Sequence, residues 1–459
     1  MMKLFADDVL LPTGWAKDVL LEIDERGNLA SIRPGSPPSA GTHVRGPVLP
    51  GMPNAHSHAF QRALAGRIER AGGKGRDSFW SWRETMYELV EAIGPDDLEA
   101  LATAAYCEML RGGYTAVGEF HYLHHAPDGT PYARRGEMSL RLLAAAEAAG
   151  IGCTLLPVLY GSSGFGGTPP ADRQLRFVNG LEGFLEIWDE AAQAVSGNAD
   201  RRLGAAPHSL RAVLPEQLQT LVATIDERDP LAPLHVHVSE QRAEVEACRR
   251  WSGQTPVQWL AGQVALSERW TLIHATHSTA PERSSIALAG ATVALCPTTE
   301  ANLGDGIFPA ESFVRDGGRY AIGSDGHVVL SAAEELRWLE YVQRLTLERR
   351  CVLSEPGAST AQSLYAEAAR SGGIALGRPI GELVQGYRAD LVVLDAAHPL
   401  LEGRSPATML DSYVFAAGSS AVADVMVGGR WVIEEGAHCG EPEIAARAQR
   451  TARRVFRER

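Results

Sequence analysis

Between residues 46 and 324, short runs of Val, Ile, Leu and aromatic residues alternate with longer Ala/Leu/Glu-rich stretches whose apolar positions recur every three to four residues. The short runs read as strands and the longer ones as amphipathic helices. Eight segments fit the strand pattern: 46–51 (GPVLPG), 114–120 (YTAVGEF), 152–160 (GCTLLPVLY), 202–208 (RLGAAPH), 233–238 (PLHVHV), 270–275 (WTLIHA), 292–297 (TVALCP) and 319–324 (RYAIGS). Among the helical stretches, 95–113 opens on Pro95, Asp96 and Asp97 and stops at Gly112 and Gly113, which matches the helix preference for proline and negative charge at the start and glycine at the end. Residues 138–150 and 214–228 read the same way. Repeated strand–helix units imply a parallel sheet, and about eight of them imply an α/β fold closed as a TIM-like (β/α)8 barrel. An open doubly wound sheet is the competing arrangement, but no G-x-G-x-x-G follows an early strand to support it.

The two ends of the chain carry a different pattern. Residues 1–47 and 380–437 contain short alternating runs such as LLEID, ADLVVLD and ADVMVGGRWVI, punctuated by Gly, Pro and Asp. These read as small antiparallel strands. Neither piece is long enough to bury a core alone, so the two are expected to combine into one small β-sandwich domain beside a barrel spanning 48–379. Residues 438–459 end the chain as an amphipathic basic helix, expected to dock on the surface.

Composition narrows the function. Hydrophobic residues make up 45% and charged residues 22% of 459, a globular balance that leaves no place for a disordered or collagen-like chain. The net charge of −13 argues against a nucleic-acid binder working through a broad basic face, although a pocket can still be locally positive. Six scattered cysteines form no C-x-x-C pair, so reduced thiols are expected. Asp7 and Asp8 interrupt the start before any long apolar run, and no stretch of about 18 apolar residues follows; a cytoplasmic protein without a signal peptide or membrane span is expected.

Five segments that carry the reactive side chains fall at the C-terminal ends of predicted strands: PNAHSHAFQ (53–61), APHSLR (206–211), HVHVSE (235–240), IHATH (273–277) and GSDG (323–326). A barrel gathers those ends on one face. His-x-His alone is a weak signal, but side chains at i and i+2 on a strand point to the same side, as two ligands of one ion must. His56, His58, His237 and Asp325 are therefore the expected ligands of one divalent metal ion, with Zn²⁺ suiting the imidazole–carboxylate set and Fe²⁺ an alternative. His237 is preferred over His235 because Glu240 follows it three residues on, where the strand has ended and a carboxylate can reach water in the site. His235 is expected to be structural. Glu240 also reads as an acid opening the helix that begins EQRAEVEACRR, and the two roles are compatible.

Taken together, LPGMPNAHSHAF, HVHVSE, LIHATH, GSDG and GYRADLVVLD resemble the amidohydrolase superfamily in its deaminase-like branch, over nearly the whole chain. More narrowly, HSHAFQRALAG, SFWSWRETMY, EFHYLHH, APHSLRAV, HVSEQ and CPTTEANLGDG resemble the formimidoylglutamate deiminase family, whose members convert N-formimino-L-glutamate and water to N-formyl-L-glutamate and ammonia in bacterial histidine degradation. Many binuclear relatives bridge two metals through a carboxylated lysine at the end of the fourth strand. Here lysine occurs only at positions 3, 17 and 74, so a single metal is implied.

The resemblance also implies roles. Glu240, His274 and Asp325 would be catalytic: Glu240 moves a proton from water to the leaving nitrogen, Asp325 holds the nucleophile in line, and His274 hydrogen-bonds the developing tetrahedral centre. Arg83 and Arg211 would anchor the two carboxylates of a small dicarboxylate substrate, because a guanidinium can hold a carboxylate with two hydrogen bonds. Gln61, Tyr122 and His208 would complete the pocket, and Trp80 and Trp82 either form a lid or pack a helix. A homodimer is implied as well. The competing enzyme reading is a related deaminase acting on a guanine-like, adenosine-like or triazine-like ring. A metal-free scaffold, the reading from another class, would require missing ligands, and every ligand position is filled.

Overall fold

A computed structural model describes residues 1–69 and 79–456, except for the side chains of residues 79–81. Eight parallel strands alternate with helices from residue 52 to residue 322. They are Met52–Ser57, Tyr114–His121, Gly152–Leu159, a split fourth strand (Arg201–Leu203 and Ala206–Pro207), Leu234–Val238, Trp270–His274, Thr292–Leu295 and Arg319–Ile322. Isolated parallel bridges close the ring, Ala205 to Leu234 and Ser209 to His237 between the fourth and fifth strands and Ser57 to Asp325 between the eighth and the first. These strands lack polar–apolar alternation because both faces are covered, and every residue of the first, second, third and fifth strands is buried.

One expected strand is placed differently. Segment 46–51 was expected to open the barrel. Instead Val48–Pro50 pairs antiparallel with Leu391–Leu394 and contacts Met2–Leu11 in parallel, and the first barrel strand is Met52–Ser57. Val48 and Leu49 are both apolar and fully buried, so hydropathy could not tell which sheet would take them.

That pairing ties the chain ends together. Met2–Leu11 and Gly14–Ile23 form a hairpin that turns at Pro12 and Thr13, and strands from both ends are hydrogen-bonded into one nine-stranded sheet. Its inner side chains, among them Leu4, Val19, Leu21, Val48, Leu391, Val393 and Met426, form a hydrophobic cluster of their own. Tyr365, on a helix packed against the barrel, donates its buried hydroxyl to the Pro50 carbonyl at 2.8 Å. The C-terminal helix Glu441–Val455 docks on Pro95–Arg111, with Glu441 against Arg111 at 2.6 Å and Arg447 against Glu99 at 2.7 Å. Among the described residues no helix is long and apolar enough to cross a membrane.

Candidate metal centre and active site

The first barrel strand delivers His56 and His58 to the same side, with Ser57 turned away between them. Behind the strand, the carboxylate of Glu119 on the second strand accepts the Ser57 hydroxyl and, at 2.8 Å, the Ala59 amide. Burial pushes Glu119 up to about 7 against those hydrogen bonds. Barrel closure brings in the fourth group: the Ser324 and Asp325 amides donate to the His56 carbonyl at 3.0 Å, and the His58 amide donates to the Asp325 carbonyl at 3.2 Å.

The ligand atoms of His56, His58, His237 and Asp325 consequently lie within 4.8 Å of one another. His237 Nε2 is 3.1 Å from His56 Nε2, and Asp325 Oδ1 is 3.4 Å from His56 Nε2 and 3.3 Å from His58 Nε2. Ring orientation is fixed from outside: His58 Nδ1 donates to the Phe120 carbonyl at 2.8 Å and His237 Nδ1 to the His208 carbonyl at 3.0 Å. Both rings therefore turn an unprotonated Nε2 inward, as backbone-oriented metal ligands do. Burial holds all three histidines below their ordinary range, so they are neutral donors at neutral pH. Among the described residues His56 Nδ1 has no hydrogen-bond partner, so this ring can carry its proton there and turn an Nε2 lone pair to the same point, 3.1 Å from His237 Nε2. Three such nitrogens and a carboxylate fit a divalent cation.

His235 sits apart from this group. Its Nε2 hydrogen-bonds the Ala375 carbonyl at 2.8 Å inside the barrel. His274, Cys296 and Asp325 form a second close set, but Cys296 is fully buried and does not line the cavity beside the four-residue group.

That cavity is lined by His58, His237, Asp325, Glu240 and His274, and also by Gln61, Arg83, Tyr122, His208 and Arg211. All the residues expected to touch substrate thus face one space. His274 Nε2 lies 3.8 Å from Glu240 Oε1 and 3.8 Å from Asp325 Oδ2. Burial pushes Glu240 up to about 7, partly countered by His274. Burial would lower His274, but Glu240, Glu300 and Asp325 outweigh it and raise the ring to about 10. Glu240 does not cap the helix that follows: the helix is Arg242–Ser252 and Gln241 stands at its N-cap.

Across the cavity, Gln61 Nε2 donates to the Tyr122 hydroxyl at 2.9 Å and Arg83 Nε to the Tyr87 hydroxyl at 2.7 Å. Arg83 and Trp82 belong to helix Phe79–Ala92, which covers this side of the site; the Trp80 side chain lies outside the described residues. No carboxylate among the described residues lies within 4.0 Å of the Arg211 guanidinium. Tyr87, Tyr160 and Phe177 complete the wall.

Strain gathers at the same strand ends. Ser239, His274, Ala275, Asp325 and His327 are non-glycine residues with φ between 42° and 67°, a conformation retained where surrounding contacts over-determine it.

Sequence reasoning missed the carboxylates that hold this arrangement. Besides Glu119, Glu300 accepts the Cys296 amide at 3.0 Å and faces His274 Nδ1 at 3.2 Å, while Glu244 accepts the Ser239 and Glu240 amides. A lone acid in an otherwise apolar strand was a usable signal for Glu119. Glu244 looked like an ordinary first-turn acid, and nothing local marked Glu300.

Residues 48–432 match the model of the amidohydrolase family, and residues 1–45 match that of the formimidoylglutamate deiminase HutF N-terminal domain. A formimidoylglutamate deiminase from Pseudomonas aeruginosa is 50% identical over 449 residues, 98% of either chain. Among solved structures, an amidohydrolase from Brucella melitensis superposes with a TM-score of 0.95 at 43% identity, covering 99% of this chain and 100% of that one. An adenosine deaminase from Xanthomonas campestris with bound zinc shares the fold at a TM-score of 0.81 and 21% identity, covering 99% of this chain and 98% of that one.

Proposed function

The chain belongs to the amidohydrolase family and, within it, to the formimidoylglutamate deiminases; from that premise we propose that it hydrolyses N-formimino-L-glutamate to N-formyl-L-glutamate and ammonia, as in histidine degradation. The observation that carries the reading to this substrate is the pairing of Arg83 and Arg211 in the cavity that also holds the His–Asp group and Glu240. Two fixed cations suit a dicarboxylate. The aromatic side chains of Tyr87, Tyr122, Tyr160 and Phe177 would equally suit a ring, which keeps a ring deaminase as the second reading.

His56, His58, His237 and Asp325 would hold one divalent cation, with zinc the proposed ion. When bound, such a cation supplies a Lewis acid that lowers the pKa of water from about 15.7 to about 7. The remaining work falls to side chains. Arg83 and Arg211 grip the carboxylates, and the Gln61–Tyr122 pair and His208 border the space left for the formimino group. Water adds to the amidine carbon, and Glu240 takes its proton and passes it to the terminal nitrogen. A carboxyl poised near neutral suits both halves of that transfer. His274 donates from Nε2 to the developing oxygen, and Asp325 Oδ2, on the same side, orients the attacking water. Glu240 then carries the remaining hydroxyl proton of the tetrahedral centre to the same nitrogen; the C–N bond to it breaks, ammonia departs, and the oxygen remains as the formyl carbonyl.

A cytoplasmic homodimer acting on this small dicarboxylate, with neither a nucleic-acid nor a membrane partner, completes the proposal. The test is ammonia release by the metal-loaded chain from N-formimino-L-glutamate, compared with guanine and adenosine derivatives. Turnover of a ring substrate without turnover of the first would favour the second reading.

A further inference from the structure

Ser239, Glu240 and Gln241 make the turn between the fifth barrel strand and helix Arg242–Ser252. Ser239 stands at a φ of 54°, so this turn is one that a serine does not adopt unaided. Both oxygens of the Glu244 carboxylate are spent on it: Oε1 accepts the Ser239 amide at 3.2 Å and Oε2 the Glu240 amide at 3.0 Å. An acid in the third helical position ordinarily reaches back to the amide of the N-cap residue. Here the N-cap is Gln241, and besides its backbone the carboxylate also takes the amides of the two residues upstream. Gln241 is engaged separately, its side-chain amide donating to Asp305, just beyond the short helix Pro297–Leu303 that follows the seventh strand. The turn is thus pinned at its start by Glu244 and at its end by Asp305, and the residue between the pins is Glu240.

We propose that Glu244 is a positioning residue for Glu240: its carboxylate fixes the backbone from which the Glu240 side chain reaches His274 and the cavity. The catalytic part of this proposal rests on the reading of Glu240 as the proton carrier. Misplacing a reacting group by about 1 Å can cost on the order of 100-fold in rate, so a loosened turn is expected to lower turnover more than substrate capture. Glu244 and Glu240 also line a second cavity together with Arg211, so truncating Glu244 lets solvent reach the freed amides, and the chain should still fold.

The experiment uses the full metal-loaded chain and four variants: E244Q, E244A, E240Q and E240Q/E244Q. Steady-state ammonia release, metal content and amide hydrogen exchange over residues 234–245 are measured on each. E244Q is expected to lower kcat by about 10- to 100-fold with KM nearly unchanged and one ion still bound. Exchange at the Ser239 and Glu240 amides should accelerate in E244A. If Glu244 acts through Glu240, adding E244Q to E240Q should cost little more, since residues that work as one unit are not additive. Wild-type kcat in E244Q, or a loss that adds in full to that of E240Q, overturns the proposal. Unaccelerated exchange in E244A also overturns it, and leaves the role of Glu240 standing. Undiminished turnover by E240Q removes the proton-carrier reading instead, and the catalytic part of this proposal with it.

Discussion

Replacing Arg211 by methionine keeps much of the side chain's apolar bulk and removes a guanidinium that no described carboxylate pairs with. The group lines the cavity at the end of the fourth barrel strand, half-buried and beside Glu240. A hydrogen bond to a charged group contributes about 1.5–3 kcal/mol, and a guanidinium can give a carboxylate two. Truncating one member of such a pair costs about 2–5 kcal/mol when it is buried. Because Arg211 is only half-buried, about 2–4 kcal/mol is the appropriate range, which at about 1.4 kcal/mol per decade is roughly a 30- to 700-fold loss in kcat/KM. The carboxylate lies away from the reacting carbon and is held alike in ground and transition states, so most of the loss should appear in KM.

Initial rates of ammonia release, coupled to reductive amination of 2-oxoglutarate, measure this directly, with metal content confirmed in the same preparation. Two analogues sharpen the test, each carrying a carboxamide in place of one substrate carboxylate. On the analogue that lacks the carboxylate held by Arg211, the variant and the parent enzyme should converge. The reasoning is refuted if R211M keeps the parent kcat/KM, or if it loses the same factor on both analogues as on the intact substrate.

Four further outcomes are expected. Glu240→Gln should retain its ion and lose about 10²- to 10⁴-fold in kcat, and a change within tenfold would remove Glu240 from proton transfer. Stripping the ion with a chelator should abolish ammonia release, one equivalent of zinc per chain should restore it, and His237→Asn should bind well below one equivalent by elemental analysis; full occupancy in that variant would displace His237 from the ligand set. Tyr365→Phe leaves the buried Pro50 carbonyl without its partner and should destabilise the fold by about 1–3 kcal/mol in denaturant unfolding, with activity per bound metal unchanged.

How far the sequence reaches differs from element to element. The buried strand runs of the barrel after the first and the helix from Pro95 to Arg111 are local patterns, and they appear in the structure within a residue or two of where the pattern puts them. Val48–Pro50 does not follow, because an apolar run fits a barrel and a terminal sheet equally well and only Leu391–Leu394 decides which one takes it. Glu240 could be read as a helix acid because its neighbours permit that role; the observed turn leaves the cap at Gln241 and gives the backbone amides to Glu244. The carboxylates at 119, 244 and 300 escaped notice because their partners are backbone amides and side chains brought close by tertiary packing.

By itself, then, the sequence determined which donors exist: an imidazole pair at alternate positions of one strand, a third imidazole three residues ahead of an acid, an aspartate after the last strand, and no lysine where a second metal would need one. Tertiary structure alone decided that these donors share a point in space. Closing the ring sets the Asp325 amide on the His56 carbonyl and thereby brings Asp325 Oδ1 to 3.4 Å from His56 Nε2. Hydrogen bonds from the His58 and His237 Nδ1 atoms to backbone carbonyls then choose which nitrogen of each ring faces inward. Local periodicity is written in neighbouring residues, whereas convergence depends on hydrogen bonds that only the closed barrel can make.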